Sequence, residues 1–266
     1  MENKKVLFIS QEITPYLPET ELSRLCRFLP QGIQERGKEI RTFMPRYGCV
    51  NERRNQLHEV IRLSGMNLII NDTDHPLIIK VASIQSARMQ VYFIDNDDYF
   101  GRKHTMTDLD GNHFLDNDER AIFFARGVLE TVRKLRWSPD IIHCHGWFTA
   151  LVPLYVKKTL REDPIFADAK VVYSLYDDQF TNSFSKNFKQ KIQMEGISKK
   201  DLAVMENPDY EGLAKLAILY SDAVVVAGTA VDSHLVEYAE SKQKKILKHI
   251  DPESCSEAYS DFYDTI

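Results

Sequence analysis

Residues 114–147, FLDNDERAIFFARGVLETVRKLRWSPDIIHCHGW, constrain the fold of this chain more than any other stretch. Ile122, Ala125, Leu129 and Val132 recur at spacings of three and four, the mark of a helix with one buried face. Asp116 or Asn117 is placed to cap its first turn. Ser138-Pro139-Asp140 ends the helical pattern, and Ile141-Ile142-His143-Cys144-His145 reads as a buried strand. Alternation along that strand puts His143 and His145 on one face and Cys144 on the other. In open α/β sheets ligands sit beyond the carboxyl ends of the strands, so His145 is expected to emerge where chemistry would occur.

The rest of the chain repeats the same grammar. Residues 4–10 are an apolar run of parallel-strand type, and residues 20–36 form a helix burying Leu22, Leu25, Leu29 and Ile33, stopped by Gly37. Residues 39–45 then read as a second strand, a right-handed βαβ opening. The pattern weakens over 46–74, where Arg53 and Arg54 read as a solvated face. Residues 76–84 and 89–95 read as a hairpin at one sheet edge, and 96–112 as a loop over the ligand end. After the central helix and strand come a helix over 148–160, a strand over 170–176 and a polar segment over 177–208 that reads as a flap carrying Lys186, Lys189, Lys191, Lys199 and Lys200. A helix over 210–220, a strand over 223–227 and a helix over 229–249 follow. The acidic tail, 251–266, is expected to dock as a short helix through Tyr259, Phe262 and Tyr263. Strands alternating with helices imply a single doubly wound, mostly parallel Rossmann-like α/β domain over 1–250, with 251–266 as its tail.

Composition narrows the function. A formal net charge of −5 argues against nucleic acid or an anionic membrane as partner. No apolar run reaches the length of a membrane span, and the start reads as a first strand rather than a signal peptide. Cys26, Cys49, Cys144 and Cys255 show no metal or disulfide spacing, which fits a reducing cytoplasm. His143 and His145 share a face, but no third ligand is evident nearby, so no metal is expected. No P-loop, GxSxG or GxGxxG is present.

Several segments together resemble the amino-terminal domain of bacterial glycogen synthases and plant starch synthases. Asp116-Asn117, Glu119-Arg120, Phe123-Phe124 and Val128-Leu129-Glu130 are similar to that family's helix, and Tyr99-Phe100, Arg102 and Asp110-Gly111 to the loop before it. Pro139 to Trp147 resembles its PDVVHxHDW strand, with Thr149-Ala150-Leu151-Val152-Pro153 continuing as the family does. Glu12, Pro15, Leu22, Gly37, Pro45 and residues 216–222 match further along the chain. The resemblance implies the amino-terminal half of a two-domain GT-B glycosyltransferase that transfers glucose from ADP-glucose to an α-1,4-glucan. It implies His145 and Asp116 as catalytic residues beside the donor sugar, and Asn117, Trp147 and Tyr176 as substrate-binding residues. It requires no cofactor, ADP-glucose being the donor substrate. The expected partners are an α-glucan, the nucleotide sugar and a second domain, supplied by a separate chain if not by this one.

The departures are as informative. The family's lysine- and glycine-bearing first loop reads Pro18-Glu19-Thr20-Glu21-Leu22 here, and glycine is what lets backbone N–H groups approach a pyrophosphate. At about 6 Å each carboxylate–phosphate pair costs roughly 0.7 to 3 kcal/mol across effective dielectrics of ~80 to ~20. The aspartate of the HxHDW strand is Gly146, the next family histidine is Phe148, and the TIHN segment reads Ser174-Leu175-Tyr176-Asp177. Two alternatives to the complete enzyme follow: a non-catalytic glucan-binding or regulatory protein, and one subunit of a split glycosyltransferase.

Overall fold

The computed structural model describes residues 3–251 and 255–266. The chain opens with β1 (Lys5–Ser10), α1 (Glu21–Glu35) and β2 (Glu39–Pro45), and β1 and β2 are parallel as the βαβ pattern predicts. The weakly patterned stretch supplies β3 (His58–Glu59) and β4 (Met66–Ile70), and β4 turns directly into β5 (Thr73–Ile84). Asn71 and Asp72 make that turn with φ of 50° and 61°, a left-handed pair that two-residue hairpins require and Asn and Asp tolerate. β5 returns antiparallel along β6 (Met89–Asp95), the expected hairpin.

Beyond β6 come α2 (Asp97–Phe100), α3 (Asn117–Leu135), β7 (Ile141–His145), α4 (Val152–Lys157) and β8 (Lys170–Leu175). The chain closes with α5 (Phe188–Lys191), α6 (Tyr210–Tyr220), β9 (Ala223–Val226), α7 (Ser233–Ser241), β10 (Lys245–Leu247) and α8 (Cys255–Thr265).

Among the described residues the strands form one sheet in the order β10-β9-β8-β7-β1-β2-β6-β5-β3, with β4 added to β5. From β10 to β6 every pairing is parallel, and β3, β4 and β5 are antiparallel. The chain winds outward from β1 through β2 and β6, then reverses through β7, β8, β9 and β10. The direction switches between β1 and β7, and in such sheets the crevice opens beyond the carboxyl ends at that switch. Val6, Leu7, Phe8, Ile9, Ile142 and Cys144 are fully buried, so the switch-point strands form the centre of the core. α3 lies close on β6 because Gly127 carries no side chain; a Cβ there would stand 2.9 Å from Ile94 Cγ2.

Four expectations change. The helix predicted over 229–249 ends at Ser241, Gln243 takes a φ of 55°, and Lys245–Leu247 instead add a parallel strand to β9. The helix predicted over 148–160 is a 3-10 turn at Trp147–Thr149 followed by α4, whose first turn holds Pro153. The expected loop over 96–112 contains α2, capped by the Asn96 side chain at 3.1 Å from Tyr99 N. The predicted flap over 177–208 is packed: Phe188, Ile192, Ile197, Leu202 and Met205 are buried, and Lys191 pairs with Asp118 and Glu119 at 2.8 Å each. α8 forms over the tail as expected, burying Tyr259 and Tyr263.

Candidate functional site

β7 delivers His143 and His145 to the sheet face expected, with ring centres 3.9 Å apart, but both residues are 0% exposed. The expectation that His145 emerges at the strand end is therefore corrected. Neighbouring strands cover it: the Phe8 ring of β1 stacks on it at 6.1 Å between centres, and Tyr176, just past β8, places its hydroxyl 2.7 Å from His145 Nδ1. Deeper in the strand, His143 Nδ1 meets Tyr263 Oη of α8 at 2.6 Å and Nε2 meets Ser174 Oγ at 2.7 Å. Burial pushes the His145 pKa down to about 3 and that of His143 well below the usual range, the neighbouring ring adding to the effect on His143. Both imidazoles are neutral at pH 7. Burial likewise pushes Tyr176 well above the ordinary phenol range, so its hydroxyl keeps its proton. His145 Nε2 has no hydrogen-bond partner among the described residues. That atom presents a proton when Tyr176 donates to Nδ1 and a lone pair when Tyr176 accepts. Either form suits a hydrogen bond to a hydroxyl, which can both accept and donate.

The amino-terminal end of α3 organises a second cluster. Asp116 occupies the N-cap position without a capping hydrogen bond, which corrects one of the two capping alternatives. Its carboxylate is taken instead by Arg102, whose Nη1 donates to Oδ1 at 2.7 Å while Nη2 donates to Oδ2. Burial works to raise the Asp116 pKa, but the hydrogen bonds and charge of Arg102, with the charge of Arg120, hold it below the ordinary value. Asn117 opens the helix rather than capping it. Its amide donates to Met106 O at 2.8 Å and its Oδ1 accepts from Arg120 Nη1 at 2.5 Å. Arg120 is 0% exposed, donates from Nε to Tyr99 O at 2.7 Å, and sits 5.3 Å from the ring centres of Phe100 and Phe114. Burial lowers its pKa to about 10, which leaves it cationic at pH 7.

Trp147 is buried, packed 4.8 Å from the Phe180 ring centre and 5.8 Å from that of Phe184. It is an aromatic core residue here, so the expected sugar contact through its ring is not available. Its backbone N–H donates to Asp178 Oδ2 at 2.8 Å, and Tyr210 donates to Asp178 Oδ1 at 3.0 Å. Burial of the carboxyl pushes Asp178 up to about 6, against the lowering effect of those two donors. Gly146 holds φ 86° and ψ 161°, and a Cβ there would stand 2.4 Å from the Gln11 side chain. Gln11 Oε1 in turn accepts from Phe148 N at 3.1 Å, which ties the loop after β1 to the loop after β7.

The first loop closes the amino-terminal end of α1 on itself. Thr20 Oγ1 accepts from Ser23 N at 3.0 Å, and Ser23 Oγ accepts from Thr20 N at 2.8 Å. Thr20 Oγ1 also donates to Glu12 Oε2 at 2.9 Å, and Glu19 pairs with Arg24 at 3.2 Å. Two donors that could hold a phosphate, Thr20 N and Ser23 N, are thus already taken, with Glu12, Glu19 and Glu21 around them.

The structure therefore joins His145 to Tyr176 and Asp116 to Asn117's helix end, as two separate clusters. Trp147 stands between, with its ring centre 6.4 Å from that of His113, whose Nδ1 lies 3.3 Å from Asn117 Nδ2. Asp178, Gln11 and Tyr263 were not singled out as site residues from sequence. Only Tyr263 carried a signal, as an apolar residue in an acidic tail. Among the described residues no cluster of three or more His, Cys, Asp or Glu could hold a metal ion, and no helix is long and apolar enough to cross a membrane.

The family described as the starch synthase catalytic domain matches residues 5–243. Glycogen synthase of Chlorobium limicola is 34% identical over 262 residues, covering 94% of this chain and 53% of that protein. Glycogen synthase of Chlorobium luteolum is 39% identical over 176 residues, covering 66% and 36%. The chain thus spans about half the length of the C. limicola protein or less in such matches. The catalytic domain of Starch Synthase IV from Arabidopsis thaliana, bound to ADP and acarbose, shares the fold with a TM-score of 0.73 at 20% identity, over 94% of this chain and 52% of its own. The family match runs from β1 through α7, stopping just short of the edge strand β10, and the chain belongs to the starch synthase catalytic domain family.

Proposed function

We propose that this chain forms the amino-terminal half of an ADP-glucose-dependent α-1,4-glucan glucosyltransferase of the glycogen or starch synthase type, with the nucleotide held by a second domain. One observation carries the reading: the family-matching end of α3 stands assembled at the sheet's carboxyl edge. There Arg102 clamps Asp116, and Arg120 joins Asn117 to the loop beneath it. In this reading Asp116 lines the donor sugar, and the neutral His145 gives its Nε2 to a sugar hydroxyl once the rim rearranges around substrate. The departing phosphate, placed by the second domain, stabilises the oxocarbenium-like centre. A cytoplasmic location fits a glycogen-synthase-type protein in which no disulfide joins described cysteines.

The test adds a nucleotide-binding second domain, taken from a glycogen synthase, to this chain and follows glucose transfer from ADP-glucose to a maltooligosaccharide. Transfer above that of either part alone is expected, lost in Asp116→Ala and in His145→Ala. No transfer with intact glucan binding would replace the enzyme by the second reading, an accessory glucan-binding protein. The sealed His145 and the self-capped α1 favour that alternative.

A further inference from the structure

At the end of the sheet opposite the rim, β2 and β6 begin beside a cavity of about 1100 Å3. Lys38, Arg41, Arg62, Arg88 and Lys134 line it, against the single carboxylate of Glu39. In a chain of net charge −5 this is a local reversal of sign. The carboxylate is already engaged, since Glu39 Oε1 accepts from Trp137 Nε1 at 2.6 Å.

The cations divide into two kinds. Lys38 is bound by Ser260 at 2.9 Å and Asp264 at 3.0 Å, and Lys134 by the carbonyls of Leu63 and Ser64 at 3.3 and 3.4 Å. The arginines have capacity left. The side chains of Arg62 and Arg88 are exposed and have neither a hydrogen bond nor an ion pair among the described residues. Arg41 is fixed in place, with Nη1 donating to Tyr92 Oη at 3.0 Å and its guanidinium 5.1 Å from the Trp137 ring centre. Its Nε is buried without a partner. A stacked guanidinium presents its N–H edge in one fixed direction, the geometry that recognises a phosphoryl group.

We propose that this cavity is an anion-binding site for a small phosphorylated ligand, gripped by Arg41, Arg62 and Arg88. The cavity has room for a sugar phosphate or a pyrophosphate together with bridging water. The site is separate from the rim: β2 runs from Glu39 at the cavity to Pro45 at the other end, and α3 from Asn117 at the rim to Lys134 beside the cavity.

The experiment is calorimetric titration of the whole chain at low salt with inorganic pyrophosphate, orthophosphate and a hexose monophosphate. Saturable binding is expected, weakening as added salt shortens the screening length from about 10 Å toward ~3 Å. Arg62→Gln with Arg88→Gln should raise the dissociation constant by about tenfold or more, and Arg41→Lys, which keeps the charge and loses the fork, by a comparable factor. The exposed pair leaves the fold intact, so an unchanged thermal midpoint in that double variant separates lost binding from lost structure. Tighter hexose phosphate than pyrophosphate identifies a sugar phosphate as the ligand type, and the reverse order a pyrophosphate group. No binding of any of the three up to about 10 mM, or binding unaltered in the double variant, would overturn the site.

Discussion

Gly146 occupies a backbone conformation, φ 86° and ψ 161°, that only glycine adopts readily, and it touches the Gln11 side chain that fastens Phe148. Gly146→Ala should cost about 2–3 kcal/mol of stability in urea denaturation, from backbone strain and the displaced Gln11. The position reads as a lost family aspartate in the sequence; the structure gives it a physical reason, because the loop after β7 cannot carry a side chain there. His145 makes a prediction of opposite kind, in pH. Its folded pKa of about 3 lies below the unfolded value, so the unfolded chain binds the extra proton and stability falls as pH drops through the ordinary imidazole range. By pH 5 the loss attributable to this histidine is about 2 kcal/mol. Asp178 acts the other way: its raised pKa of about 6 gives stability present at low pH and lost as pH rises through 6. Comparing the chain with His145→Gln at pH 7 and pH 5 cancels the aspartate. The unaltered chain should lose more stability than the variant, and equal losses would show that the imidazole is charged or exposed in the fold.

At the level of elements, α3 and β7 were legible because a 3.6-residue period and a short apolar run are local signals, and both appear where expected. β4 and β10 were not. β4 depends on the Asn71-Asp72 hairpin turn inside a polar stretch, and β10 is three residues long, held by its parallel neighbour β9 rather than by its own pattern. The segment over 177–208 was misread as a flap because its lysines are conspicuous in sequence, whereas its buried Phe188, Ile192 and Leu202 are spaced irregularly. Asp116 was legible as a helix-start residue, but its partner Arg102 lies 14 positions away and the bond between them is tertiary. That bond fastens the loop before α3. Arg102→Ala should speed hydrogen exchange at Phe114, whose amide donates to Met106 O, by about fivefold, a loss of ~1 kcal/mol. Exchange in the middle of α3 should not change. Equal acceleration in both places would mean that Arg102 supports the whole helix rather than the loop.

Across the whole molecule, the doubly wound sheet and the family membership could be read from sequence, because each rests on order along the chain. The state of the site could not. Whether His145 opens to the rim depends on Tyr176, 31 residues away, and on its neighbour His143, which Tyr263 of α8 holds from 120 residues away. What remains legible in both sequence and structure is the inverted first loop, where Glu12, Glu19 and Glu21 surround a helix end that is already capped. The most direct measurement is calorimetric titration of this chain alone with ADP-glucose, ADP and a maltooligosaccharide. Saturable glucan binding is expected, with no ADP-glucose or ADP binding up to about 1 mM at that rim, because each carboxylate–phosphate contact is unfavourable. Micromolar ADP-glucose binding abolished by His145→Ala would contradict this, and would place a working donor site in this chain.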